Sequence, residues 1–220
     1  MFKRCLAVFG LMAALFAAGA HAEIHEGTDY QVLPNPQPVA QAGKHEVVEF
    51  FWYGCPHCFR LEPFVEQWAA TLPKDVVFRR EHVMWQGRND IEGHAKIFLA
   101  LQSMGIEGKY QQAVFNAVQK DRLELRRDDV LFNWVKQQGI DLAKFKANYN
   151  GFSTGVQLQR LGDLCQTFQI DGVPTLIVDG KYKVTGREDA SALAIVNELL
   201  AKDRAADHGA AAPASKKKKK

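Results

Sequence analysis

Two cysteines separated by two residues, in Cys55-Pro56-His57-Cys58, are the side chains of this 220-residue sequence best placed to do chemistry. The spacing puts both sulfurs on the first turn of a helix, close enough to bond to each other, and the chemistry it suits is thiol–disulfide exchange. At a helix start, Cys55 faces unpaired backbone N–H groups and the positive end of the helix dipole. Both stabilise a thiolate, which lowers the thiol pKa and makes the sulfur reactive. Pro56 suits the first helical position, where a missing N–H costs nothing. His57, when protonated, sets a positive charge beside the same sulfur. A thiolate stabilised only in the reduced form leaves the disulfide as the less stable partner, so such a pair oxidises others.

A pair like this must be held by its surroundings. The stretch Glu46–Arg60 reads EVVEFFWYGCPHCFR: an apolar strand through Val47, Val48, Phe50, Phe51, Trp52 and Tyr53, a turn at Gly54, then a helix. Glu49 interrupts the strand, which is too apolar on both faces for a sheet edge. It is expected to be a buried carboxylate near the disulfide, placed to move protons to and from Cys58. In the helix, Leu61, Phe64, Val65 and Trp68 fall at the spacing of one buried face. Pro63 lies inside that pattern and predicts a kink, and Leu72-Pro73 marks the end.

Val76–Val83 reads as the next strand. From Trp85 to about Gly155 there is no strand signal. Short amphipathic segments follow one another instead, lined by Ile97, Leu101 and Met104, by Tyr110, Val114 and Val118, by Val130, Leu131, Trp134 and Val135, and by Leu142 and Phe145. A longer helix then carries Leu161, Leu164, Cys165 and Phe168 inward. After Gly172-Val173-Pro174 come a short strand Thr175–Val178, an Asp179-Gly180 hairpin signal, a strand Tyr182–Val184 and a helix Ser191–Leu200. Before the core strand, Glu23–Gly43 is a proline-bearing lead-in in which Tyr30–Leu33 adds a short edge strand.

Taken together, the Cys-Pro-His-Cys site, Glu49 six residues before Cys55, the Gly172-Val173-Pro174-Thr175 loop and the long helical stretch between resemble the DsbA family. These are periplasmic disulfide oxidoreductases of Gram-negative bacteria, and the likeness covers most of the mature chain. It implies an α/β, thioredoxin-like fold with an inserted all-helical domain. Residues 23–86 and 160–203 would form the two parts of the redox domain and 87–159 the insertion. It implies that Pro174 is a cis proline packed against the two cysteines and that Val173 offers its backbone to an extended substrate strand. It also implies a strongly oxidising pair, newly exported reduced proteins as substrates, and reoxidation by a quinone-linked inner-membrane partner of the DsbB type. No bound cofactor is needed, and the chain is expected to act as a monomer.

The two ends and the cysteine count agree with export. Met1–Ala22 has Lys3 and Arg4, an apolar run from Leu6 to Ala20 and a small-x-small Ala20-His21-Ala22 pattern, so it reads as a cleaved secretory signal carrying Cys5 away. Without Lys3 and Arg4 there are 26 basic residues against 25 acidic; without Lys216–Lys220 as well, 21 against 25. The folded body is thus slightly acidic and offers no nucleic-acid surface. Residues 204–220, small, polar and ending in five lysines, read as a disordered tail with anionic membrane as a secondary contact. Of the three mature cysteines, Cys55 and Cys58 make a catalytic pair and Cys165, in phase with Leu161 and Phe168, a small buried apolar residue.

Other readings are weighed on the same residues. A zinc site wants four ligands, and there is no second CxxC, so metal is not expected. A disulfide isomerase or reductase is the nearest alternative; the isomerases of this type carry an N-terminal dimerisation domain, and only about twenty mature residues precede the core strand here. A chaperone-like binding module would use an apolar groove around Trp52, Tyr53 and Trp85. His82, Met84 and Trp85 are further candidates for the floor or rim of the site.

Overall fold

The computed structural model describes residues 23–210. The segment 1–22 read as a secretory signal, with Cys5, and the lysines 216–220 lie outside the described residues. A five-stranded sheet runs in the order β1-β5-β4-β2-β3. Its strands are β1 (Gln31–Val32), β2 (His45–Phe51), β3 (Val76–His82), β4 (Thr175–Val178) and β5 (Tyr182–Thr185). β2 pairs parallel with β3 and antiparallel with β4. Its seven residues are therefore interior to the sheet, and all but His45 are buried. That is why the run is apolar on both faces. Trp52 and Tyr53 lie past the strand's end, in the turn that leads to the cysteines.

Helix α1 (Pro56–Ala69) follows β2 directly. It runs unbroken through Pro63, where the sequence rule predicts a kink. Its inward face holds Cys58, Leu61, Glu62, Val65 and Trp68. Phe64, expected on that face, is instead exposed, and Glu62 takes a buried place. Between β3 and β4 the chain forms α2 (Asn89–Ser103), α3 (Glu107–Gln119), α4 (Asp128–Gln137), α5 (Leu142–Tyr149) and α6 (Phe152–Thr167). Phe98, Leu101, Phe115, Leu131 and Phe145 fill the core of this helical part, and that core is continuous with Phe51, Tyr53 and the cysteines. The helix α6 passes without a break through residues 159 and 160, where the sequence reading divides insertion from redox domain.

The Asp179-Gly180 hairpin forms as the sequence predicts. Both residues have positive φ, 48° and 64°, as a tight turn between right-twisted strands requires. The last helix, α7 (Ala190–Ala210), extends ten residues beyond Leu200 and into the stretch read as an unstructured tail. Alanine, lysine and arginine favour helix here, and tertiary bonds anchor it: Asp203 is buried against Lys181 and Tyr182, and Arg204 bonds Asp75. Among the described residues no helix is long and apolar enough to cross a membrane.

Candidate active site

Cys55 is the N-cap of α1, with extended backbone (φ −90°, ψ 115°) and Pro56 in the first turn. Its sulfur accepts a hydrogen bond from the Cys58 N–H at 3.4 Å, and its thiol faces the carbonyl of Val173 at 3.5 Å. The preceding turn is closed by the Cys55 N–H on the Trp52 carbonyl. Gly54 is required there, because a Cβ would stand 2.3 Å from the Trp52 ring. The two cysteines are both free thiols. The Val173–Pro174 bond is cis, and the loop it belongs to delivers β4 to the side of β2.

The two thiols have opposite electrostatics. A hydrogen bond from Cys58, together with backbone N–H groups of Cys58 and His57 and the charge of His57, lowers the Cys55 pKa to about 6 against the cost of burial. Burial pushes the Cys58 thiol well above its ordinary value, and a neighbouring Cys55 charge and Glu49 add to that. The sulfur at the helix start is the acidic one, and the buried sulfur keeps its proton.

Beneath Cys58 lies a group of buried charges. Glu49 is fully buried, and its Oε2 accepts from Arg80 Nε at 3.1 Å. Arg80 Nη2 donates to Glu62 at 2.7 Å, and its Nη1 approaches Glu107 at 3.7 Å. One guanidinium cannot neutralise three carboxylates in a low-dielectric interior, so protons must remain in the cluster. Burial raises the carboxyl pKa of Glu49, Glu62 and Glu107, that of Glu62 to about 9. Three of their oxygens, Glu49 Oε1, Glu62 Oε2 and Glu107 Oε1, have no bonding partner within the protein. The arrangement can hold and exchange protons next to the Cys58 sulfur.

Above the cysteines the surface is polar. His57 is exposed and lies against Glu188, in the turn between β5 and α7, and against Arg60 of its own helix. Of the residues singled out in the sequence, Cys55, Pro56, His57, Cys58, Val173 and Pro174 converge at the end of β2, with Glu49 below. Glu62, Arg80, Glu107, Arg60 and Glu188 are additions that the sequence reading missed. Arg80 did leave a signal: it alternates in phase with Val76 and Phe78, where a lone cation implies a buried acid.

Other expectations need correcting. His82 is buried beneath the turn, packed on Phe51, Tyr53 and Phe98, and burial lowers its pKa to about 3. It forms part of the floor. Met84 and Trp85 instead line a separate groove with Leu158, Cys165 and Ile170, and the Trp85 ring N–H donates to the Ile170 carbonyl. Tyr53 has no exposed surface; its hydroxyl donates to Gln111 at 2.7 Å. Tyr53 therefore offers no surface to an open groove beside Trp52 and Trp85. Cys165 is buried as expected, with its pKa pushed up to about 11 by burial.

The chain was compared with known proteins. A family model, the DSBA-like thioredoxin domain, matches residues 83–195, which include the helical part and the Val173–Pro174 loop. Over 201 residues the chain is 39% identical to the thiol:disulfide interchange protein DsbA of Pseudomonas aeruginosa, covering 89% of this chain and 93% of that protein. The chain belongs to the DsbA family. It is also 42% identical, over 176 residues, to the DsbA of Azotobacter vinelandii, covering 77% of this chain and 81% of the relative. The crystal structure of Pseudomonas aeruginosa DsbA superposes with a TM-score of 0.75 at 37% identity, covering 82% of this chain and 94% of that one. Reduced DsbA1 from Neisseria meningitidis gives 0.73 at 36% identity, covering 86% and 100%. The DsbA-family fold is the thioredoxin-like sheet with helical insertion described above, and the activity is that of a thiol:disulfide oxidoreductase.

Proposed function

We propose that this DsbA-family chain acts in the periplasm, donating its Cys55–Cys58 disulfide to newly exported proteins. A substrate thiolate attacks the Cys55 sulfur; the Cys55–Cys58 bond breaks and its electron pair leaves on Cys58. That sulfur takes a proton, and the carboxyl cluster of Glu49, Glu62 and Glu107 is the nearby store from which Glu49 passes one. A second substrate thiolate attacks the substrate sulfur of the mixed disulfide, and Cys55 departs as a thiolate. The substrate has lost two electrons, and the enzyme holds them as a dithiol.

The observation that carries this reading is the split between the thiols: the helix-capping Cys55 is acidic, with a pKa of about 6, and the buried Cys58 is not. A leaving group of low pKa leaves quickly, which favours release of oxidised substrate. Val173, whose carbonyl meets the Cys55 thiol, and Pro174 form the edge along which an extended substrate lies, its backbone pairing as an added strand. No cofactor takes part. The dithiol is reoxidised by a quinone-linked inner-membrane partner of the DsbB type, and the enzyme works as a monomer.

An equilibrium titration of the Cys55–Cys58 couple against glutathione tests the direction of the reaction. An oxidising couple is expected. A potential as low as thioredoxin's, about −270 mV, would overturn the oxidase reading in favour of a reductase.

A further inference from the structure

On the rim of the site, two side chains, His57 and Arg60, meet at one carboxylate oxygen of Glu188. Glu188 Oε2 lies 2.5 Å from His57 Nδ1, and 2.9 and 2.5 Å from Nε and Nη2 of Arg60. Arg60 Nη2 is also 2.8 Å from His57 Nδ1. Glu188 and His57 are 131 positions apart, so the tertiary fold brings the β5–α7 turn against the helix that bears the cysteines. All three side chains are substantially exposed, at 59% for His57, 49% for Arg60 and 40% for Glu188. Exposed ion pairs add little to stability, so holding the fold together is a weak reason for this cluster.

Proton geometry gives a better one. Two hydrogens cannot both lie between Nδ1 and Nη2. Either His57 carries its proton on Nδ1 and donates it to Glu188, or a neutral ring accepts from Arg60. In the first state Glu188 accepts from the ring, and its charge faces whatever charge the ring carries as well as that of Arg60. In the second, Arg60 is the one cation of the three side chains. In both, the Nδ1 edge of the ring is held toward the β5–α7 turn, and the Glu188 charge stands beside Arg60, whose own charge is felt at Cys55.

We propose that Glu188 and Arg60 are positioning residues for the redox reaction: they fix the His57 ring and set the net charge facing the Cys55 sulfur, and so how strongly the disulfide oxidises. The proposal deepens the reading of the site as an oxidase and rests on it. Glu188 restrains oxidising power, and Arg60 adds to it.

The test is the equilibrium of protein disulfide plus two glutathione with protein dithiol plus glutathione disulfide, measured for wild type, Glu188→Gln, Arg60→Gln and the double variant. Thiolate absorbance is titrated on the same four proteins. Glu188→Gln should favour the dithiol by roughly two- to threefold and move the Cys55 titration to lower pH. Arg60→Gln should shift both by a similar factor in the opposite direction, and the double variant should return close to wild type. The shifts should shrink in 1 M salt. A purely structural latch would move both single variants the same way, or neither, and either result overturns the proposal. If wild type itself proves as reducing as thioredoxin, the oxidase reading has failed instead.

Discussion

Glu49 and Arg80 are register partners across the parallel β2–β3 pair, and the guanidinium that reaches Glu49 also serves Glu62 on the helix above. A single cation thus ties the central strand, its neighbour and the cysteine-bearing helix together. Replacing Arg80 with Met removes the only positive charge bonded to these two acids among the described residues. Breaking a buried pair in this way should cost about 3 kcal/mol or more at neutral pH. The loss should be smaller at pH 5, where keeping the orphaned carboxyls protonated in the folded protein costs less relative to the unfolded chain. Urea melts of Arg80→Met at pH 5 and pH 8 measure both; an equal loss at the two values would count against a charged cluster.

Glu62 gives a pH dependence of known sign. Its folded pKa, about 9, lies above the unfolded carboxyl value near 4.5. Between those values the folded protein holds a proton that the unfolded chain has released, so stability falls as pH rises. One such proton contributes a slope of up to about 1.4 kcal/mol per pH unit. The Glu62→Gln variant should flatten the decline between pH 5 and 8. An unchanged slope would mean that Glu62 is ionised in the folded protein.

Cys55 acts in the opposite sense, and only in the reduced protein. Its folded pKa of about 6 lies below the ordinary thiol value of 9.0, so its contribution is fully present above the unfolded pKa and is lost as pH falls through about 6. At pH 7 this amounts to about 1.4 kcal/mol favouring the reduced form. The disulfide form has no thiolate to stabilise. The stability difference between reduced and oxidised protein should therefore move toward the reduced form from pH 5 to pH 8. Denaturant melts of both forms decide it, and a difference that does not change with pH would rule out the low pKa.

Reactivity toward an alkylating agent should follow the same split. At pH 7 iodoacetamide is expected to modify Cys55 of the reduced protein well before Cys58, which is fully buried, or Cys165, whose thiol is held protonated by a pKa of about 11. Peptide mass mapping after a short pulse reads the order directly. Early label on Cys58 would reverse the roles assigned to the two sulfurs.

Much of the site could be read from the chain because it is local. The strand, the turn, the helix cap and the two sulfurs are consecutive, and their pattern carries its own geometry. The buried position of Glu49 followed from the apolar residues on both sides of it. Glu62 was missed because helical periodicity favoured Phe64 as the inward residue, and only the position of Arg80 on a neighbouring strand makes an acid stable there. Glu188 gave no signal at all, since nothing in the β5–α7 turn indicates which helix it will touch. The extension of α7 was misread for a different reason: Ala205–Ser215 looks like tail composition, yet its first residues are good helix formers with a docking surface to reach.

The pairing of β4 with β2 has a consequence for the order in which the protein becomes itself. Phe50 meets Thr175 in that ladder, and Val173 reaches Cys55 across 118 positions of sequence. A chain that emerges N-terminus first exposes both cysteines, on a strand and helix that can form early, while α2 to α6 are still to come. Closure of so long a loop is slow relative to local structure. During that interval the protein carries a reactive thiol pair without the Val173 carbonyl that later faces Cys55. For a time the chain is itself an unfinished protein with two exposed thiols.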